Sequence, residues 1–187
     1  WQRANIARTF ADNGYLKDWS DPLQLGSNQA AQQPVVNVSW QDAVSFTEWL
    51  SSTAGERFRL PTEAEWECAA RGGSEDTRFP WGNDVMQSGT PRCNVWRGRF
   101  PNEPDDGWLP RPIAAAAGEP NAFGLFNVCG NVWEWCEDWY NPARKERVLR
   151  GGSWGYDPLS LLSSDRVYHA PTTRDMYRGF RCVLVRP

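Results

Sequence analysis

The residues able to carry nucleophilic, redox or general-base chemistry are few in this sequence. It contains one histidine, His169, and five cysteines, namely Cys68, Cys93, Cys129, Cys136 and Cys182. A single histidine excludes a His-rich metal site, and the absence of any Cys-x-x-Cys pair argues against a zinc site. The odd number of cysteines argues against a complete disulfide framework, while one or two bridges fit the count. No serine or cysteine stands at a recognisable spacing from His169, which favours a ligand-contacting or exposed ring over a catalytic base.

Oxygen donors are more plentiful, and they suit a hard cation. Residues 74–118 are rich in residue types that favour turns, as in the segments FPWGN and CNVWRGRFPNEPDDGW. Such irregular backbone has carbonyl groups to satisfy, and a bound calcium ion would satisfy several of them. The candidate side-chain donors are Asn94, Glu103, Asp105, Asp106, Asn127 and Glu134. Two interpretations stay open, a calcium site and a set of solvated acidic loops.

Residues 155–178 form the segment best suited to contact a ligand. They include two prolines, five serines or threonines and three tyrosines, and they show no helical periodicity. This mixture does not suit a buried strand and is typical of a loop-rich surface. Tyr156, Tyr168 and Tyr177 interrupt a polar run, and tyrosine supplies contact area at low entropic cost, as in antibody paratopes. The alternative is a long solvated connection.

Two helices and their caps can be predicted from local signals. The segment PVVNVSW predicts a short strand that leads into a helix capped by Ser39 and Asp42. The predicted buried stripe of this helix is Ala43, Phe46, Trp49 and Leu50. The segment RFRLPTEAEWECAARGG predicts a brief strand through Phe58 and Leu60, then a helix capped by Thr62 and Glu65 and ended by Gly72 and Gly73. A further helix is predicted for residues 1–13.

The segment GNVWEW predicts a central strand. In an extended chain, Trp133 and Trp135 fall on one face and Glu134 falls on the other. The tryptophans can therefore enter the core, while the carboxylate of Glu134 points at an ion or an arginine. The strand-like segments VLRGGSW and GFRCVLV flank residues 155–178 as framework.

Composition limits the class of protein. The chain of 187 residues is 40% apolar, which predicts one globular domain over residues 1–187. Twelve tryptophans indicate a fold held together by aromatic rings. The net charge of −3 and the absence of a Lys/Arg cluster argue against a nucleic-acid partner. No apolar run approaches about 20 residues, so no membrane span is predicted. The start at Trp1, without an initiator methionine or a signal peptide, indicates an excised domain or a processed product and leaves the compartment, cytoplasm or cell surface, open.

Seven motifs occur in the order found in the formylglycine-generating enzyme (sulfatase-modifying factor) family. They are VSWQDAVSFTEWL, RLPTEAEWECAARGG, FPWGN, NVWRGRFP, NAFGLFNVCGNVWEWCEDW, RVLRGGSW and GFRC, and the resemblance spans residues 34–187. It implies an α+β, C-type lectin-like fold with a small twisted antiparallel sheet, two main helices and much irregular loop. The family's opening strands, with their GGxFxMG-like start, have no counterpart in this sequence, so the resemblance implies that residues outside it complete the fold.

The same resemblance argues against the family's oxidation chemistry. Oxidising members use two cysteines shortly after the GGSW-like motif, and these thiolates bind copper. In this sequence the two positions are held by Tyr156 and Leu161, and residues 155–178 contain no cysteine. We therefore expect neither formylglycine generation nor copper binding. The related sulfoxide synthases need several histidines for iron, and this chain has only His169. An enzyme of this superfamily with an unrecognised active site is the alternative.

The sequence also resembles the variable proteins of diversity-generating retroelements, whose ligand-binding residues lie between an RGGSW-like and a GFR-like motif. Adenine-directed mutation of AAY codons yields no Lys, Glu, Gln, Trp or Met, and residues 155–178 lack all of these except Met176. The resemblance implies a non-catalytic, receptor-like domain whose variable region, residues 153–182, binds a protein or other macromolecular ligand. The implied contact positions are Gly155, Tyr156, Asp157, Leu159, Ser160, Asp165, Tyr168, His169, Thr172, Thr173, Asp175 and Tyr177.

For calcium, the family resemblance implies two sets of ligands. The first set is Asn94, Val95, Asp106 and Trp108, and the second is Asn127, Gly130, Val132 and Glu134. The resemblance also places Cys182 at a family disulfide position and Cys68 two residues from the partner position. Pairing of these two cysteines stays open.

Overall fold

We describe the fold from a computed structural model of the chain. The structure describes residues 32–84, 86–87, 90–158 and 161–186. The helix predicted for residues 1–13 and the contact positions Leu159 and Ser160 lie outside the described residues.

Two α-helices and ten short β-strands make up the regular structure of the described residues. They are α1 (Trp40–Ala54), β1 (Arg57–Arg59), α2 (Glu63–Arg71), β2 (Met86–Gln87), β3 (Thr90–Pro91), β4 (Gly98–Arg99), β5 (Glu103–Pro104), β6 (Trp133–Trp139), β7 (Arg147–Arg150), β8 (Arg166–His169), β9 (Arg178–Gly179) and β10 (Val183–Val185). This is the α+β class that the sequence predicted, with long irregular stretches between the strands. No helix among the described residues has the length and apolarity needed to cross a membrane.

Both helices begin where their capping boxes predicted. Ser39 and Asp42 exchange side-chain and backbone hydrogen bonds at the start of α1, and Thr62 and Glu65 do so at the start of α2. Gly72 ends α2 in the left-handed conformation with φ 60°. The helix boundaries follow from these local bonds because they satisfy the first free N–H groups of each helix.

The buried side of α1 differs from the prediction. Ala43 is fully buried as expected, but Phe46 and Trp49 are 42% and 58% exposed. Thr47 is buried instead, and Trp40 packs against the core and donates from its indole Nε1 to the Cys136 carbonyl oxygen at 2.9 Å. Because Trp40 is inserted at the first turn, the helix is rotated so that Trp40, Ala43 and Thr47 face the sheet.

The strand predicted for PVVNVSW is also wrong. Asn37 lies in the left-handed region with φ 59°, which interrupts an extended run. Its backbone N–H donates to the carbonyl oxygen of Asp175 at 2.9 Å, so the segment binds a distant loop rather than a neighbouring strand.

The central sheet has the strand order β8-β7-β6-β9. Strand β6 is interior, as predicted, and it pairs antiparallel with β7. The expectation of an antiparallel sheet fails at one edge, because β9 runs parallel to β6, pairing Trp133 with Arg178 and Glu134 with Gly179. Strands β7 and β8 and the loops around them separate β6 from β9 along the chain, and a separation of this length permits a parallel pair.

The two helices cover opposite faces of this sheet. Trp133 and Trp135 share a buried cluster with Ala43 of α1. Alternate residues of the sheet, Cys136 and Val148, share another cluster with Trp66 and Ala70 of α2. Because successive side chains of a strand point to opposite faces, the pattern WEWC places Trp133 and Trp135 together in the core, as predicted. The structure adds that this face of the strand lies under α1.

Candidate ligand-binding face and calcium positions

The C-terminal face, which we define as residues 155–178, is tied to α2 through Arg150. The guanidinium of Arg150 is 1% exposed and donates to the carbonyl oxygens of Ser163 at 2.7 Å and Ser164 at 2.9 Å. It also pairs with Glu63 at 3.2 Å and Glu67 at 2.5 Å. A buried guanidinium needs this many acceptors because an unpaired donor in the interior is costly. One side chain therefore holds both a helix and the connecting loop.

The same face is tied to the start of α1. The carbonyl oxygen of Pro171 accepts from the Trp40 backbone N–H at 3.1 Å, and that of Asp175 accepts from Asn37. Arg174 donates from Nε and Nη2 to the two carboxylate oxygens of Asp42, at 2.9 and 3.3 Å. A long solvated connection would not make these contacts, so the described parts of the face, residues 155–158 and 161–178, are held in a defined conformation.

Side chains of the predicted contact positions differ in exposure. Tyr168 is 44% exposed and Thr172 is also exposed, while Met176, the residue that breaks the codon pattern, is 51% exposed. The half-buried contact positions are Gly155, Tyr156, Asp157, Asp165, His169, Thr173, Asp175 and Tyr177. The face is therefore neither sealed inside the molecule nor fully solvated, and the contact role of these positions stays a prediction.

An aromatic cluster forms the base of the face. Tyr156 packs edge-on against Trp133 with ring centroids 5.4 Å apart, and Tyr177 packs against Trp154 at 4.8 Å. A Cβ added to Gly155 would lie 2.5 Å from the Tyr177 ring. Gly155 and Tyr177 therefore cannot vary independently, because any side chain at the first must displace the second.

The two positions that the family resemblance assigns to catalytic thiols, Tyr156 and Leu161, are packed into the scaffold. Leu161 is 2% exposed and lies in a cluster with Phe79, Val95 and Cys129. Tyr156 packs against this cluster from the side. Both residues contribute to packing, and neither side chain supplies a sulfur ligand.

His169 lies beside the buried Arg178. Arg178 is 4% exposed and its Nη2 lies 2.5 Å from His169 Nε2, and its other terminal nitrogen pairs with Asp175. Because a guanidinium only donates, Nε2 must be the unprotonated acceptor of the ring. Burial, and then the charge of Arg178, lower the pKa of His169. The ring is therefore half-buried and accepts from Arg178, whereas the sequence favoured a ligand-contacting or exposed ring, and its contact with a ligand stays a prediction.

Three of the four residues in the first predicted calcium set line a cavity, whereas Val95 is fully buried and is not part of its wall. Asn94, Asp106 and Trp108 lie on the wall of a cavity of about 810 Å³, and Asn127 of the second set lies on the same wall. The amide nitrogen of Asn94 donates to the Arg111 carbonyl oxygen at 3.0 Å, which leaves its Oδ1 as the atom that a cation would take. The donor types and their common cavity fit calcium.

The second set contains a carboxylate that already has partners. Glu134 is 5% exposed, and its two oxygens accept from Nε and Nη2 of Arg181 at 2.5 and 2.7 Å. The Trp66 indole also donates to it at 2.6 Å. Of the two partners predicted for Glu134, the structure therefore shows the arginine. A calcium ion at this set would have to share the carboxylate with a guanidinium, which fits less well than the first set.

The cysteines are unpaired. Cys68 is exposed and Cys182 is half-buried, and the structure forms no bridge between them. The sulfur atoms that lie close together are those of Cys93 and Cys129, at 3.5 Å. These two cysteines are 36 positions apart, and no spacing rule indicated their proximity. The sequence predicted an arginine as one possible partner of Glu134 but did not indicate that it would be Arg181, the arginine of the GFR motif.

These elements define an α+β domain with a C-type lectin-like fold, in which a small mixed sheet carries a helix on each face and presents a pinned C-terminal loop region. The chain belongs to the sulfatase-modifying factor enzyme 1-like domain family, whose model matches residues 8–186.

The proteins similar to this chain include formylglycine-generating enzymes, an inactive form of that enzyme and a variable protein. The chain is 40% identical to a formylglycine-generating enzyme of Thermomonospora curvata, covering 88% of this chain and 60% of that protein. It is 37% identical to the inactive Cα-formylglycine-generating enzyme 2 of Mus musculus, covering 88% of this chain and 54% of that protein. The chain thus spans little more than half the length of these relatives. Treponema denticola variable protein 1 superposes with a TM-score of 0.66 at 27% identity, over 84% of this chain and 69% of that one.

Proposed function

We propose that this chain is a non-catalytic, receptor-like domain that binds a protein or other macromolecular ligand through its C-terminal face, as retroelement variable proteins do. The observation that carries the proposal is that Tyr156 and Leu161 stand where the family resemblance places the two catalytic thiols. Both side chains pack against the scaffold. Sulfur ligands are what a soft cuprous ion prefers, and neither side chain offers one.

Leu161 provides the stronger evidence of the two residues. A Cβ on Gly152 would lie 1.8 Å from its Cδ2, and Gly152 has φ 80°. Gly152 of the GGSW motif and Leu161 thus pack closely against each other. Replacing a buried leucine by cysteine would leave a void, so this position supports the scaffold instead of performing a reaction.

The remaining support comes from the way in which the face is held. Ties from Arg150 and Asp42 fix its backbone, while Tyr168, Thr172 and Met176 project outward. A rigid backbone with replaceable side chains lowers the entropic cost of binding and tolerates sequence change. Similarity to a protein named variable protein 1, over most of both chains, supports this role.

The relatives support both classes of function, so the enzyme alternative needs a direct test. A thiol-oxidation assay with a cysteine-containing peptide, cuprous ion and oxygen should give no aldehyde product from this protein. The Thermomonospora enzyme, assayed alongside, serves as the positive control. Turnover by this protein above the copper-only background would overturn the proposal.

Diversification of the face can be tested separately in the DNA. The flanking sequence should contain a near-copy of the codons for residues 153–182 that differs at adenines, together with a reverse transcriptase gene. A flanking region with neither feature would remove diversification from the proposal and leave a receptor-like domain of fixed specificity.

A further inference from the structure

Cys93 and Cys129 form a close thiol pair beside the cavity. Their Sγ atoms are 3.5 Å apart, and the Cys129 sulfur also lies 3.5 Å from the carbonyl oxygen of Leu161. Both residues line the cavity of about 810 Å³. None of the roles discussed above uses these thiols.

The backbone fixes this proximity. Asn94 and Gly130, the residues that follow the two cysteines, form an isolated parallel bridge. Asn131 donates to the Asn94 carbonyl oxygen at 2.7 Å, and a Cβ on Gly130 would lie 2.4 Å from that oxygen. Glycine therefore permits the two chains to approach closely, and the adjacent cysteines are aligned by the same contact. A disulfide requires an S–S distance of about 2.05 Å, so a side-chain shift of roughly 1.5 Å separates the present contact from a bond.

The two thiols differ in access. Cys93 is half-buried on the cavity wall, whereas Cys129 is 3% exposed. An oxidant entering from the cavity therefore meets Cys93 first, and Cys129 is placed to react afterwards.

We propose that Cys93 and Cys129 are a redox-active dithiol that a peroxide oxidises to a reversible disulfide. In the first step Cys93 releases its proton and its thiolate attacks a peroxide oxygen. The O–O bond breaks, and the departing hydroxide takes up the released proton, so that Cys93 sulfenic acid and one water form. In the second step the Cys129 sulfur, losing its proton, attacks the Cys93 sulfur and hydroxide leaves as a second water. The two thiols lose two electrons in total, and hydrogen peroxide gains them.

The bond would close the segment that surrounds the cavity. Residues between 93 and 129 supply Asp106, Trp108 and most other parts of its wall. Joining the ends of this segment restricts its unfolded conformations and holds the cavity in its present shape. Oxidation would thus act beside the C-terminal face, because Leu161 of that face contacts Cys129. The proposal does not depend on the proposed function.

The test uses the unaltered protein. The reduced protein is treated with a small excess of hydrogen peroxide, free thiols are blocked with an alkylating agent, and tryptic peptides are analysed by mass spectrometry. We expect a linked pair of peptides containing Cys93 and Cys129, released by dithiothreitol. The midpoint of thermal unfolding should rise by about 10 °C on oxidation.

Two cysteine variants test whether Cys93 is required for the link. Cys68→Ser, which removes the exposed cysteine, should leave the link and the thermal shift intact, whereas Cys93→Ser should abolish both. Full alkylation of Cys93 and Cys129 after peroxide treatment would overturn the proposal. A link between different cysteines, or oxidation of Cys93 to sulfinic acid without a bond to Cys129, would overturn it equally.

Discussion

Arg181 holds the carboxylate of Glu134 with two hydrogen bonds of 2.5 and 2.7 Å, at the centre of the sheet. The carboxylate is buried and the arginine side chain is 27% exposed. Burial alone would lower the pKa of Arg181, but the charge and hydrogen bonds of Glu134 outweigh it and raise the pKa. This ion pair joins β6 to the segment between β9 and β10, and so attaches the C-terminal part of the chain to the central sheet.

Removing one charge of this pair should be costly. Glu134→Gln leaves the Arg181 guanidinium without its counterion, and we expect a loss of about 3 kcal/mol in the free energy of unfolding. Chemical denaturation measures this change. The matched control is Glu103→Gln, because Glu103 lies 3.8 Å from Arg99 with both side chains mostly exposed, and it should change stability by less than about 0.5 kcal/mol. Equal stability of Glu134→Gln and the unaltered protein would contradict the importance of the pair.

Calcium should stabilise the domain through the first ligand set. At about one hundred times its dissociation constant, a bound ion adds about 2.7 kcal/mol to the free energy of unfolding. We propose that Asp106→Asn removes most of this gain, because it takes a charged oxygen from the cavity wall, while Asp76→Asn leaves it unchanged. Thermal unfolding with calcium and with a chelator measures both. An unaltered protein that shows no calcium-dependent shift would rule out the site.

Acidification should weaken the contact between His169 and Arg178. The folded protein lowers the pKa of His169 from 6.5, so the unfolded chain binds a proton more readily than the folded one. Stability from this group is complete above pH 6.5 and is lost as the pH falls through the lower folded pKa, with a slope of at most about 1.4 kcal/mol per pH unit.

His169→Gln provides the comparison for this pH dependence. Its amide oxygen can accept from Arg178, and it does not titrate. Unfolding free energies measured for both proteins between pH 4 and 8, about the range in which histidine titrates, should diverge at the acidic end. If the two proteins give parallel curves of unfolding free energy against pH, the His169 ring has the same pKa in the folded and unfolded states.

The outward and inward residues of the C-terminal region should respond differently to substitution. Met176→Thr and Thr172→Ala should each change the free energy of unfolding by no more than about 0.5 kcal/mol, because both side chains are exposed. Leu161→Ala should cost about 2 to 5 kcal/mol, because it leaves a cavity beside Phe79 and Val95. Urea denaturation of the three variants measures the contrast. A large loss for Met176→Thr would show that the face is part of the core.

The amino-acid sequence by itself determined the features that depend on near neighbours. The capping boxes at Ser39 and Thr62 form between residues three positions apart, so they could be predicted and were confirmed. The alternation of Trp133, Glu134 and Trp135 follows from the geometry of a single strand, and it correctly predicted which side chains enter the core. Ordered motifs also identified the family and its fold.

Only the tertiary structure decided which distant residues meet. It rotated α1 so that Trp40 packs against the core while Phe46 and Trp49 are exposed. It also turned Asn37 toward Asp175 where a strand was predicted. It also brought Cys93 next to Cys129 and selected Arg181 as the partner of Glu134. Local patterns cannot reveal such pairings, because the contacts form only after the chain has packed and depend on the shape of the whole core.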